Sequence, residues 1–304
     1  MKLWIPHEAG LSLVGELPAG VEVEVYTVTD DREPSDPSTV TMWVPPFLAP
    51  SRLAPLAQRM AGLKVIQLLS AGADAWVGRV PDGVLLCDAR GVHNSSTSEW
   101  AVAAILTYLR NFPAFVRAQE RQEWAYAQTD ELAGKRVLVV GAGAVGGAIA
   151  DRLAPFDVSL TLVARRPRPG VHAVDELPKL LPNADVVVLV VPLTPATTGL
   201  VDAGFLAAMP NGALLVNAAR GPVVDTEALV AELAAGRLAA ALDVTDPEPL
   251  PPDHPLWTMP NVFLTPHVAG SVRGLLPRAY SLIAEQARRL YAGEPLDNVV
   301  ADGY

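Results

Sequence analysis

The sequence predicts an α/β chain made of two doubly wound parallel-sheet domains, and three observations carry that prediction. Short apolar, β-branched runs recur along most of the 304 residues. Helical patterns separate most of them, and a glycine run, GAGAVG at Gly141 to Gly146, sits between one such strand and one such helix. Half of the residues are hydrophobic, enough at this length to bury two ordinary cores.

In chain order, the first ninety residues offer the strand runs KLWI, VEVEVY, VTMWV, KVIQLL and VLLC, with helical stretches such as LAPLAQRMAGL between them. Parallel βα units account for this alternation. After His93 and Asn94, the segment SSTSEWAVAAILTYLRNF predicts a long apolar helix, with Ser96 and Glu99 at capping-box spacing. This helix would cross from one domain to the next. A second series starts at Arg136 with RVLVV, SLTLVA, DVVVLVV, ALLVN, AAALDV and VFLTP. Six strands of this kind fit one Rossmann-type sheet. The amphipathic stretch LLPRAYSLIAEQARRLYAG closes the chain and would pack back onto the first domain. The expected division is a discontinuous, flavodoxin-like substrate domain, residues 1–95 and 270–304, and a dinucleotide-binding domain, residues 96–269. The Pro-rich stretches around RPRPG and LPPDHP read as surface connections, and no repeat or low-complexity tract is present.

Composition removes several classes of function. A formal charge of -10 leaves no basic stripe for a phosphate backbone, so nucleic acid is not an expected partner. The single Cys87 excludes an intramolecular disulfide and reads as a small hydrophobe in a strand. No uninterrupted run approaches the ~18 apolar residues needed to span a bilayer. The opening MKLWIPHEAG meets Pro6, His7 and Glu8 before a secretory apolar core can form. A soluble cytoplasmic protein with no membrane partner is expected. His7, His93, His172, His254 and His267 are scattered, so no metal site is expected.

GAGAVG follows the strand RVLVV and opens the helical pattern AVGGAIADRLA, the context a dinucleotide fingerprint requires. Gly141 would permit the tight turn, Gly143 the approach of the pyrophosphate, and Gly146 the close packing of helix on strand. The next strand should end in an acid about 20 positions on if the ribose hydroxyls of NAD are bound. It ends instead in Ala164, Arg165, Arg166, Pro167 and Arg168. Guanidinium groups fork onto phosphate, so Arg165, and next Arg166, favour the 2′-phosphate of NADP, with NAD possible. The plainer alternative is a solvated basic loop.

Further along come Arg220 in NAARGPVVD, Glu248 in DVTDPEPLP and His267 in TPHVAGS. Reduction of a 2-oxo acid needs a cation for the carboxylate, a proton donor for the forming alkoxide and a hydride nearby. Arg220 and His267 are candidates for the first two. Glu248 could bind the far imidazole nitrogen, fix its tautomer and favour its protonated form. Taken singly, each also reads as an ordinary surface or structural residue.

These segments, with PLTPATTGLV, MPNGALLVNAARGPVVDTEAL, AALDVTDPEPLPPDHPLW and NVFLTPHVAGS, resemble the D-isomer-specific 2-hydroxyacid dehydrogenase family, which includes glyoxylate/hydroxypyruvate reductases. The resemblance implies that Arg220 binds substrate, His267 is the acid/base, Glu248 is its partner and Asp243 contacts the nicotinamide carboxamide. It implies that the SAGAD loop receives the substrate carboxylate on the amides of Ala71 and Gly72, with Ser70 shaping the loop. It places Thr97 beside the cofactor and the amides of Ala144 and Val145 on its pyrophosphate. Pro192, Thr198 and Ala218 would border the cofactor, and Phe47 would wall the substrate side. Three departures stand out: arginines where many relatives carry an acid, TSEW in place of VAEH, and Thr245 where an aromatic is usual. The implied activity is hydride transfer between NADP(H) and a small 2-oxo or 2-hydroxy acid, D-specific, across an interdomain cleft in a homodimer; Trp124 and Tyr126 could lie at its interface, reach a neighbour's active site, or be ordinary core residues. The alternatives are an NAD-dependent dehydrogenase of another small anion such as phosphite, and a dinucleotide-sensing, corepressor-like binding protein.

Overall fold

In a computed structural model, which describes residues 1–28 and 33–300, the strand runs form two separate parallel sheets. They belong to two units of the chain: Met1–His93 with the segment from Arg273, and Asn94–Val272. Residues 301–304 of the expected substrate domain lie outside the described residues.

The first unit contains β1 (Lys2–Ile5), β2 (Glu22–Val25), β3 (Met42–Trp43), β4 (Val65–Gln67) and β5 (Leu85–Cys87), in the order β2-β1-β3-β4-β5. All pairings are parallel, and the order reverses between β1 and β3, as in a flavodoxin-like sheet. Alternation along β1 builds both layers of the core. Leu3 and Ile5 pack with Tyr280, Ile283 and Ala287 of the helix Leu275–Ala292, whereas Trp4 packs with Trp43, Ile66 and Trp76. That helix stops at Gly293, whose φ of 72° is a left-handed cap.

LAPLAQRMAGL, predicted as helical, forms only the turn Ala54–Ala57. The Gly62 amide bonds to the Ser38 carbonyl at 2.9 Å, and a side chain at Gly62 would crowd the same oxygen. That docking draws the chain out of the helix after one turn.

The second unit contains β6 (Arg136–Val140), β7 (Ser159–Ala164), β8 (Val171–Ala173), β9 (Val186–Leu189), β10 (Leu214–Asn217), β11 (Ala239–Leu242) and β12 (Val262–Leu264). The order β12-β11-β10-β9-β6-β7-β8, parallel throughout, is the Rossmann order extended by one strand. Six strands are predicted from sequence and seven form. The strand not predicted is β8, which is only three residues long and carries no apolar run of its own. Every residue of β9, β10 and β11 is buried, which is why these runs are continuously apolar.

The helix Asn94–Leu109 begins two residues before Ser96, so the predicted capping box at Ser96 and Glu99 does not form. Ser96 is buried inside the first turns, and Ala101 and Ile105 on the same helix pack with Ile149 and Leu153 of the helix Ala144–Leu153. Tertiary packing moves the start of the helix. Among the described residues, no helix is long and apolar enough to cross a membrane.

Candidate active site

The glycine loop occupies the turn between β6 and the helix Ala144–Leu153, beside the point where strand order reverses. Gly141 has φ 116°, and a side chain there would press on the Val190 carbonyl carbon and oxygen. One at Gly146 would collide with the Gly141 carbonyl, so the missing Cβ is what lets helix meet strand. Gly143, the residue preceding the helix, would carry a Cβ into open space. With the helix beginning at Ala144 and Val145, this leaves open space at a helix N-terminus, where an anion can be held.

The arginine run follows β7, where the ribose end of a dinucleotide belongs. Arg165 and Arg166 are exposed, and the Arg168 guanidinium donates to the Ala142 carbonyl at 2.6 Å, tying this loop to the glycine turn. On the other side of β6, the loop after β9 carries Pro192 and Thr198. Thr197 Oγ1 donates to the Pro192 carbonyl at 2.6 Å and Thr198 Oγ1 to the Thr194 carbonyl at 2.9 Å. The Ala218 amide, just past β10, bonds to the Leu189 carbonyl at 3.1 Å, closing the β9–β10 edge of the same region. Thr97 is buried in the helix Asn94–Leu109.

The chemistry gathers at the carboxyl ends of β10, β11 and β12. Glu248 Oε1 lies 2.7 Å from His267 Nδ1. A carboxylate only accepts, so the shared proton sits on Nδ1 and leaves Nε2 for a reacting group. The imidazole bonded to it holds the Glu248 carboxyl below the usual carboxylate range against the opposing pull of burial, and the charges of His267 and Arg220 act in the same direction.

Arg220 leaves β10 in extended conformation, and its loop is held by the buried Asn217. Asn217 Nδ2 donates to the Arg220 carbonyl at 3.1 Å and its Oδ1 accepts from the Ala219 amide at 3.0 Å. A side chain on Gly221 would collide with the Thr245 carbonyl, so the Arg220 turn packs directly on the loop that leads to Glu248. Thr245 Oγ1 donates to the Pro247 carbonyl at 2.9 Å inside that loop.

His267 is held at φ 54°, a left-handed conformation uncommon for a residue with a Cβ. Asp243, only 3 % exposed, lies beneath it. Its Oδ1 accepts from Thr265 Oγ1 at 2.6 Å and from the Val268 amide at 2.8 Å, and its Oδ2 accepts from the Ala269 amide at 2.9 Å. The family resemblance implies a cofactor contact for Asp243, and the sequence gives no role to Asn217 or Thr265. The signal for Asn217 and Asp243 is a polar residue closing a wholly apolar strand run.

Within the first unit, the SAGAD loop follows β4. Ser70 Oγ donates to the Gly72 carbonyl at 2.8 Å, and the Ser70 carbonyl accepts from the Ala89 amide at 2.9 Å, so the loop around Ala71 has a defined shape. Phe47, after β3, stacks on the His93 ring at 5.6 Å between centroids. Burial pushes the Cys87 thiol up to about 12, which makes it an inert core residue. No cluster of metal-binding side chains occurs among the described residues.

A Rossmann-ordered sheet with a glycine cradle, and a carboxylate–imidazole pair at its strand ends, defines a pyridine-nucleotide-dependent oxidoreductase. Residues 102–269 match the family described as D-isomer specific 2-hydroxyacid dehydrogenase, NAD binding domain. The chain belongs to this family, whose members are NAD(P)-dependent oxidoreductases. It is 38% identical over 247 residues to the glyoxylate reductase/hydroxypyruvate reductase of Mus musculus, covering 77% of this chain and 74% of the relative. Among solved structures, it resembles a D-isomer specific 2-hydroxyacid dehydrogenase from Xanthobacter autotrophicus in complex with NADPH and MES. That likeness has 33% identity and a TM-score of 0.84, over 99% of this chain and 97% of the other. It also resembles an NADPH-dependent glyoxylate/hydroxypyruvate reductase from Sinorhizobium meliloti in complex with NADP and sulfate, at 28% identity, TM-score 0.83 and 98% of both chains.

Proposed function

We propose that this chain is an NADPH-preferring reductase of small 2-oxo acids of the glyoxylate/hydroxypyruvate type, giving the D-hydroxy acid. The observation that carries the reading is the 2.7 Å Glu248–His267 contact, with Arg220 close enough to act on the same carboxylate. Arg220 binds the substrate carboxylate and polarises the adjacent carbonyl. His267 Nε2 gives its proton to the carbonyl oxygen as it becomes an alkoxide, and Glu248 holds the resulting imidazole through Nδ1. In the reverse direction, neutral His267 accepts the hydroxyl proton at the same atom. The dinucleotide, when bound, supplies or receives the hydride.

The glycine cradle fits a pyrophosphate, and Arg165 and Arg166 supply the charge a 2′-phosphate needs. The NADP(H)-bound relatives support the same preference. Thr97, Ala144, Val145, Pro192, Thr198, Ala218 and Asp243 are assigned to the cofactor, and Ser70, Ala71 and Gly72 of the first unit to the substrate. We assign the catalytic form to a cytoplasmic homodimer: Trp124 and Tyr126 are 97 % and 90 % exposed on one segment, an aromatic surface of the kind copies bury.

Initial rates with NADPH and NADH, each against glyoxylate, hydroxypyruvate, pyruvate and phenylpyruvate, test the reading. Faster turnover with NADPH on the small acceptors is expected. Turnover with NADH alone would overturn the arginine assignment, and no turnover with any pair would overturn the reductase.

A further inference from the structure

Two glutamines of the first unit have no exposed surface: Gln67, which ends β4, and Gln286, on the helix Leu275–Ala292. Burying an amide costs free energy unless its hydrogen bonds are made, and here each polar side-chain atom has a partner. Gln67 Oε1 accepts from Gln286 Nε2 at 3.0 Å. Gln67 Nε2 donates to the carbonyls of Leu68 at 2.9 Å and Asp88 at 2.8 Å. Gln286 Nε2 also donates to the Asp297 carbonyl at 2.7 Å, and its Oε1 accepts from the Asp297 amide at 3.0 Å.

The paired amides join two distant segments. At one end lies the C-terminal segment, antiparallel to β5, where the Asp88 amide donates to the Asn298 carbonyl at 3.0 Å and the Val300 amide to the Leu86 carbonyl at 2.8 Å. At the other end lies the SAGAD loop, whose approach is fixed carbonyl by carbonyl. Leu68 accepts from Gln67, Leu69 from His93 Nε2 at 2.8 Å, and Ser70 from the Ala89 amide at 2.9 Å. A trans peptide directs its N–H opposite to its C=O, so turning the Ser70 carbonyl toward Ala89 sets the direction of the Ala71 amide.

Resting on the assignment of the Ala71 and Gly72 amides to the substrate, we propose that Gln67 and Gln286 are positioning residues that transmit the docking of the C-terminal segment to the substrate loop. Both are wholly buried, so they act through the loop and not on the substrate itself. The link from Gln286 to the loop runs through Gln67. Loosening it weakens the hold on the oxo acid, while the proton donor His267 and its partner Glu248, which belong to the other unit, keep their rate.

Methionine in place of either glutamine keeps the length of the side chain and removes the amide. With hydroxypyruvate and glyoxylate as acceptors, Gln67→Met should raise KM about 2- to 10-fold, the worth of one hydrogen bond, and leave kcat within about twofold. NADPH affinity by fluorescence titration should be unchanged. Gln286→Met should raise KM by no more than Gln67→Met does. The double variant should match Gln67→Met, because two residues acting along one path do not multiply their effects. A second readout needs no turnover: amide hydrogen exchange over residues 68–74 should be faster in Gln286→Met than in wild type, and this variant stands in if Gln67→Met does not fold.

Effects that multiply in the double variant would overturn the relay, as would a fall in kcat with KM unmoved. An equal loss of NADPH and acceptor affinity, or variants indistinguishable from wild type, would do the same. A wild-type protein that reduces neither acceptor sinks the reductase reading. Hydrogen exchange then decides the relay alone, faster exchange in Gln286→Met supporting it and unchanged exchange overturning it.

Discussion

Glu248 and His267 stand 19 residues apart in the chain and meet through a single 2.7 Å contact between Oε1 and Nδ1. The Glu248 carboxylate faces Nδ1 and leaves Nε2 turned away from its partner, so the two nitrogens of one ring have separate duties: one is anchored, and the other is available for proton transfer.

The pH dependence of the pair follows from Glu248. Its carboxyl is held below its ordinary value, so the pairing persists above that value and is lost only as pH falls through the depressed one. The acid limb of kcat/KM, measured in the reduction direction, should therefore lie below the usual carboxylate range. In Glu248→Gln this limb should disappear and kcat should drop on the order of 100-fold. An unchanged acid limb in that variant would assign it to another group.

Replacing His267 by Ala removes the proton donor while leaving the glycine cradle intact. Turnover should fall between roughly 100- and 10000-fold, the range for loss of a positioned general acid. NADPH binding by titration should be retained. A variant with wild-type kcat would refute the mechanism.

The arginine loop should decide cofactor choice. Charge-assisted hydrogen bonds to a phosphate contribute about 1.5–3 kcal/mol, or about 10- to 100-fold in affinity. The double variant Arg165→Ala, Arg166→Ala should raise the KM for NADPH by that order and leave the KM for NADH nearly unchanged. Equal loss with both cofactors would mean that these side chains serve the loop rather than the phosphate.

Two glycines of the same turn should behave oppositely. Gly146→Ala puts a methyl group into the Gly141 carbonyl and should cost about 1–3 kcal/mol of stability in urea unfolding. Gly143→Ala meets no neighbouring atom, so its stability should change by less than about 0.5 kcal/mol. It should nonetheless weaken NADPH binding, because its methyl group projects into the space assigned to the pyrophosphate. Comparison of unfolding midpoints with NADPH titrations separates the two roles.

Much of the architecture is legible in the sequence because its causes are local. Short β-branched, apolar runs bounded by turn residues read as buried strands by their length and composition, and the eleven runs read in this way all pair in the two parallel sheets. The glycine fingerprint is similarly local, since a turn, an open approach and a close packing contact each require the missing Cβ at a fixed spacing. Strand β8 is not legible: Val171–Ala173 has no pattern of its own and pairs because β7 offers it an edge. The helix Asn94–Leu109 starts ahead of the capping-box spacing, with Ser96 buried in its first turns and Ala101 packed in the core of the second unit. The candidate catalytic residues and the pairing of Glu248 with His267 could be named from the sequence, but the geometry of that pairing could not. The Glu248–His267 contact and the left-handed backbone of His267 arise only once β11 and β12 pair in register. So does the grip of Asp243 on residues 22 to 26 positions away. Hydrogen bonds between distant segments leave no periodicity in the chain, and only the packed sheet brings their donors to their acceptors.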